Sequence, residues 1–160
     1  TKFIIPIAPS IDSNLIQKML PASLVNQITL LRQPLVKALE NVAFALVTSG
    51  TATLETALAE VPMVVVYKVN ELSYQLGRRL ISVPHISLVN LIAEKEIVPE
   101  LIQHDTLPEN ITRHMRSQLD NPEIYLKVCH ELKELKKKLG RSGAPARVAK
   151  AIIGILKENE

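Results

Sequence analysis

Ser49-Gly50-Thr51, followed one helical turn later by Glu55, is the set of residues in this chain best suited to chemistry. It lies between two apolar runs, Phe44–Val47 and Met63–Tyr67, with Pro62 marking the break before the second. A glycine there lets the backbone pass close to a ligand, and hydroxyls can donate hydrogen bonds. A following helix would aim its free N–H groups and positive dipole end at the same point. A phosphate suits such a place. Glu55 could accept from both hydroxyls of a ribose, a bidentate contact that needs a carboxylate. Each feature also has a plain structural reading: helices often begin with Gly and hydroxyl residues, and the dipole favours any first-turn carboxylate by roughly 0.3–1 kcal/mol. The G-x-G-x-x-G fingerprint and the Walker lysine are absent, so neither a dinucleotide site nor a P-loop is indicated.

The elements that must position these residues form a βαβ unit: strand Phe44–Val47, helix Ala52–Glu60, strand Met63–Tyr67. Neither strand alternates apolar with polar residues, which favours parallel strands covered by helices on both faces. Such sheets carry ligand sites at the carboxyl ends of their strands. Around this unit the pattern continues as strand and helix in turn. A strand within Thr1–Ala8 is followed by a helix from the cap Asp12 to Leu20, stopped by Pro21. Gln27–Leu31 is a strand, and Pro34 opens a helix to Asn41. Asn70–Ser82 reads as a helix with Leu72, Leu76 and Leu80 on one face, Ile86–Leu88 as a last short strand, and 99–103 as a helix. Helices at Pro108–Leu119, from cap Asn121 through Pro122 to Leu139, and at Pro145–Lys157 complete the chain, with a loop at 141–143. The fold class expected is α/β, a doubly wound, mostly parallel, Rossmann-like sheet followed by C-terminal helices.

Composition agrees. A chain of 160 residues and 17.8 kDa can bury a sizeable core, and 47% hydrophobic residues with only 3% aromatics make that core aliphatic. It offers no stacking surface for bases, so nucleic acid is not an expected partner. The single cysteine, Cys129, lies in a helix and is read as a packing residue. The histidines, 85, 104, 114 and 130, lack metal-ligand spacing, so neither a metal nor another cofactor is expected. Lys133, Lys136, Lys137, Lys138, Arg141, Arg147 and Lys150 form a basic cluster, either a solvated helix face or an attraction for anionic lipid. No apolar run approaches the ~20 residues of a membrane span, and a cytoplasmic location, with or without contact at the inner membrane, is expected.

The succession of motifs resembles the C-terminal half of lipid-A-disaccharide synthase. It is carried by S-G-T-A-T-L-E at 49–55, V-P-M-V-V-V-Y-K at 61–68, L-G-R-R-L at 76–80, I-S-L-V-N-L-I-A at 86–93 and V-P-E-L-I-Q at 98–103. Val89 stands where the family usually has Pro, and Glu94-Lys95 where Gly-Arg is usual. The resemblance implies the UDP-binding half of an inverting glycosyltransferase with two Rossmann domains. That enzyme transfers 2,3-diacylglucosamine from UDP to 2,3-diacylglucosamine 1-phosphate and releases UDP. It implies that Ser49, Gly50 and Thr51 meet the pyrophosphate, Glu55 the ribose, and that Asn90 and Gln103 lie near the donor. The general base is expected in another domain, so this segment alone would not complete the transfer. The strand that opens the chain without a turn or cap leads us to expect at least one βα unit before it. Residues 1–143 would then be a truncated nucleotide-sugar-binding domain, and 144–160 a helix that packs on a missing domain or on the second subunit of a homodimer. Other UDP-N-acetylglucosamine enzymes of the same fold, a 2-epimerase or the glycosyltransferase of the peptidoglycan lipid precursor, also carry a Ser-Gly turn and a Glu seven residues before a Pro. A non-catalytic α/β interaction module is the alternative of a different class.

Overall fold

The computed structural model describes residues 1–80, 83–140 and 143–158. In chain order the elements are β1 (Phe3–Pro6), α1 (Ser13–Met19), β2 (Ile28–Leu31), α2 (Leu35–Ala38), β3 (Ala45–Thr48), α3 (Thr51–Leu58) and β4 (Met63–Tyr67). Then follow α4 (Glu71–Leu80), α5 (Leu88–Ala93), β5 (Glu100–Ile102), α6 (Pro108–Leu119), α7 (Pro122–Lys138) and α8 (Ala144–Glu158), with 3-10 turns at Val25–Gln27 and Gln103–Asp105. Every described ladder is parallel, as an α/β Rossmann-like unit requires. The strands form two sheets, β1-β2 and β3-β4-β5, rather than one continuous sheet.

Local signals place most helix starts. Asp12 accepts from the Asn14 N–H at 3.0 Å and opens α1. Asn121 accepts from the N–H groups of Glu123 and Ile124, with Pro122 at the first helical position. Asn70 accepts from the Ser73 N–H at 2.8 Å and opens α4. The central βαβ unit is as the apolar runs predict, within a residue or two at each end.

The core is aliphatic and lies between the three-stranded sheet and helices α3, α5 and α7. Val47, Ala57, Met63, Val65, Val89, Ala93, Val98, Val128, Leu132 and Leu135 form one buried cluster. β4 is central in the sheet, and Met63, Val64 and Val65 are all fully buried. Val64 points away from the cluster by the two-residue period of a strand, on the opposite face. α6 packs against β4 as well, so the strand is covered on both sides.

Two expectations are corrected. Residues Ile86–Leu88 do not form a strand: Ser87 is the N-cap of α5, its side chain accepting from the Asn90 N–H at 3.2 Å. The Ile86 and Ser87 N–H groups are both taken by the carboxylate of Glu100, which withdraws them from any ladder. Residues 99–103 do not form the expected helix: Glu100–Ile102 is β5, pairing Val65 with Glu100, Val66 with Leu101 and Tyr67 with Ile102, and Gln103 opens the 3-10 turn that follows. The expected loop at 141–143 falls partly outside the described residues. Helix α8 leaves Val148, Ile152 and Leu156 exposed.

Candidate functional site

Because β3, β4 and β5 run parallel, their carboxyl ends share one edge of the sheet, and the chain leaves that edge at Ser49, Lys68 and Gln103. Gly50 precedes α3 with φ 156° and ψ −166°, a conformation essentially confined to glycine, and turns the chain from strand into helix. The Ser49 N–H continues the ladder by donating to the Val66 carbonyl at 3.0 Å. The next three amides, Gly50, Thr51 and Ala52, donate to no protein group among the described residues. They are the free N-terminal donors of α3, and they point where its dipole is positive. The Thr53 hydroxyl donates to the Gly50 carbonyl at 2.6 Å and holds that first turn closed.

Around these amides the predicted residues take different roles. Thr51 is exposed at the first helical position. Glu55 is half-buried one turn later on the same face as Thr51, and its carboxylate has no hydrogen-bond or ion-pair partner among the described residues. The Ser49 hydroxyl is turned to the protein and donates to the Ile86 carbonyl at 3.0 Å.

Asn90 and Gln103 both face inward. Asn90 is fully buried in α5. Its Oδ1 accepts from the N–H groups of Ile97 (2.8 Å) and Val98 (3.1 Å), and its Nδ2 donates to the Val98 carbonyl and to Glu100 Oε1, both at 2.8 Å. That uses the whole bonding capacity of an amide side chain. Gln103, in the left-handed region at φ 50°, brackets the backbone of Val69. Its Oε1 accepts from the Val69 N–H at 3.1 Å while its Nε2 donates to the Val69 carbonyl at 2.9 Å and to Glu71 Oε2 at 3.0 Å. These side chains shape the loops beside the turn and are not themselves open at its surface.

Sequence reasoning missed two carboxylates. Glu100 accepts four hydrogen bonds from the segment that leads into α5, and Glu71 is the outer partner of Gln103. Glu71 also accepts from Gln75 at 3.2 Å and lies 3.7 Å from His104 Nε2. Hydrogen bonding to Gln103, then to Gln75, lowers the pKa of Glu71 below the usual glutamate value. The only signal for Glu100 was a charged residue inside an otherwise apolar strand, which a helical reading of 99–103 concealed.

Burial pushes the Cys129 thiol pKa up, against a hydrogen bond with Tyr125, so the thiol stays protonated and a poor nucleophile. Within the basic cluster, Lys136 pairs with Glu60 at 2.9 Å and Lys137 with Glu134 at 2.6 Å. Among the described residues no three His, Cys, Asp or Glu side chains gather as a metal set, and no helix is long and apolar enough to cross a membrane.

Residues 1–152 match the family model for lipid-A-disaccharide synthetase. The chain is 38% identical over 159 residues to a lipid-A-disaccharide synthase of Syntrophus aciditrophicus, covering 99% of this chain and 42% of that protein. It is 40% identical over 156 residues to the Geobacter sulfurreducens lipid-A-disaccharide synthase, covering 97% and 40%. The Anaeromyxobacter dehalogenans protein of the same name is 36% identical over 156 residues, covering 98% and 41%. The chain thus spans about two fifths of the length of the curated relatives it matches.

Proposed function

The chain belongs to the lipid-A-disaccharide synthetase family, and on that premise we propose that it carries the UDP-binding α/β unit of a glycosyltransferase. The reaction proposed is transfer of 2,3-diacylglucosamine from UDP to 2,3-diacylglucosamine 1-phosphate, with inversion at the anomeric carbon. The observation that carries this reading is the row of three unclaimed amides, Gly50, Thr51 and Ala52, at the carboxyl end of β3. Departure of UDP develops negative charge on its phosphate oxygens, and preorganised amides at a helix N-terminus stabilise that charge without having to reorient. Thr51 adds a hydroxyl at the same point. Glu55, one turn along the same face and without a partner among the described residues, is the acceptor for the ribose hydroxyls.

Asn90 and Gln103 act from behind this surface, Asn90 by fixing the 97–98 turn and Gln103 by fixing Val69. The base that deprotonates the acceptor hydroxyl belongs across the cleft, in another part of the protein. The same reading divides the chain near residue 144, with α8 as an arm whose exposed Val148, Ile152 and Leu156 pack on another part of the protein. It also places the protein at the cytoplasmic side of the membrane that holds its acylated substrates.

A backbone-amide NMR titration with UDP tests the reading, with CDP and ADP as controls. The expected result is a response centred on Ser49–Glu55, strongest for UDP and reduced in Glu55→Ala. An equal response to all three nucleotides, or none at the turn, overturns it. Turnover of only non-acylated UDP-sugars by the full-length protein would move the assignment to another UDP-sugar enzyme.

A further inference from the structure

Glu100 is half-buried at the start of β5 and gathers four donors. Its Oε2 accepts from the Ile86 N–H at 2.8 Å. Its Oε1 accepts from the Ser87 N–H at 3.0 Å, the Ser87 hydroxyl at 2.7 Å and Asn90 Nδ2 at 2.8 Å. It forms no ion pair among the described residues. Ile86 is gripped at both ends of its backbone: Glu100 takes its N–H, and Ser49 donates its hydroxyl to its carbonyl at 3.0 Å. The path from the Glu100 carboxylate to the turn before α3 therefore passes through one residue.

We propose that Glu100 is a positioning residue for the Ser49–Thr51 turn, acting through Ile86 to fix Ser49 and so to aim the unclaimed amides of Gly50, Thr51 and Ala52 at a phosphate. The inference deepens the nucleotide reading above and rests on it for the identity of the ligand. Only a carboxylate serves here, because both oxygens must accept and charge-assisted hydrogen bonds are roughly twice as strong as neutral ones. In Glu100→Gln either orientation of the amide sets its NH2 group against an N–H donor, of Ile86 on one side or of Ser87 and Asn90 on the other. The grip on Ile86 is lost or the α5 cap is, and in both cases Ser49 loses a fixed acceptor.

Amide hydrogen exchange and UDP titration, followed by NMR in the wild type, Glu100→Gln, Glu100→Asp, Ser49→Ala and the Ser49→Ala/Glu100→Gln pair, test this. In Glu100→Gln, exchange should rise about tenfold at Ile86 and Ser87 and also at Ser49 and Thr53, whose amides donate to the Val66 and Gly50 carbonyls, while Met63–Val66 stay as protected as in the wild type. UDP affinity should fall about tenfold, and Glu100→Asp should recover part of it. In the Ser49→Ala background, Glu100→Gln should change UDP affinity by less than about twofold, because the path is already cut. Faster exchange confined to Ile86 and Ser87 with wild-type UDP affinity overturns the inference, as does simple additivity with Ser49→Ala. If the wild type itself ignores UDP, the nucleotide reading fails separately, and the exchange of Ser49 and Thr53 still decides whether Glu100 positions the turn. Should Glu100→Gln fail to fold, Glu100→Asp carries the same comparisons.

Discussion

The hydroxyl of Ser49 donates to the carbonyl of Ile86 at 3.0 Å, across 37 residues of chain. The serine is thus already bonded to the protein, and on the nucleotide reading proposed above the groups left for an anion are the backbone amides beside it and the Thr51 hydroxyl. This relationship orders the consequences of substitution at the turn.

Ser49→Ala removes one part-buried hydrogen bond and should lower stability by about 1 kcal/mol, read as a shift in the urea midpoint at constant slope. Gly50→Ala meets no atom within 4 Å of its new Cβ, so crowding is not the difficulty. The backbone conformation is, and a side chain there should cost about 1–3 kcal/mol. Gly50→Ala should therefore weaken UDP binding more than Ser49→Ala, because it disturbs the amides themselves. Calorimetric titration of both variants checks the order.

Asn90→Asp replaces the Nδ2 donor with a carboxylate oxygen facing Glu100 Oε1, 2.8 Å away in the wild type, and the Val98 carbonyl. A buried carboxylate against a half-buried one, with two lost hydrogen bonds, should destabilise the fold by roughly 3 kcal/mol at neutral pH. The deficit should shrink as pH falls into the carboxylate range, since protonating either group removes the repulsion and restores a donor. Urea denaturation across pH reads both parts of the effect.

Glu71 makes a contribution of the opposite pH sense. Its pKa is lowered on folding, first by Gln103 and then by Gln75. The stabilisation is present in full above the ordinary glutamate pKa and is lost as pH falls through the lowered value of the folded state. Glu71→Gln should have a lower urea midpoint than the wild type at pH 7, and the difference should disappear in acid. The site is solvent-exposed, so the effect is small and should weaken with salt.

Among the described residues β3 pairs only with β4 and β1 only with β2, and the apolar side chains Leu46, Phe3 and Ile4 are 55%, 46% and 41% exposed on these strands. An unladdered parallel edge with apolar side chains invites pairing with another strand. The chain should self-associate with concentration in sedimentation velocity, and Leu46→Lys should reduce this without changing the unfolding free energy by more than about 0.5 kcal/mol.

The sequence by itself determined the central βαβ unit, the glycine turn at its heart and the starts of α1 and α7. These depend on short-range causes. Unbroken apolar runs mark doubly covered strands, Asp12 and Asn121 cap the amides that follow them, and Gly50 admits a conformation other residues resist. It also carried the family, because the order of its motifs survives without any knowledge of contacts. Only the tertiary structure decided what the polar side chains do. Ser49 bonds a residue 37 positions away, Asn90 and Gln103 turn inward to satisfy loop backbones, and Glu100 draws in the amides that a strand at 86–88 would have needed. A polar side chain takes whichever partner the packed chain brings within about 3 Å, and burial makes it costly to leave any of them unpaired. That choice depends on long-range packing, so residue type and spacing could name the candidates but not their partners.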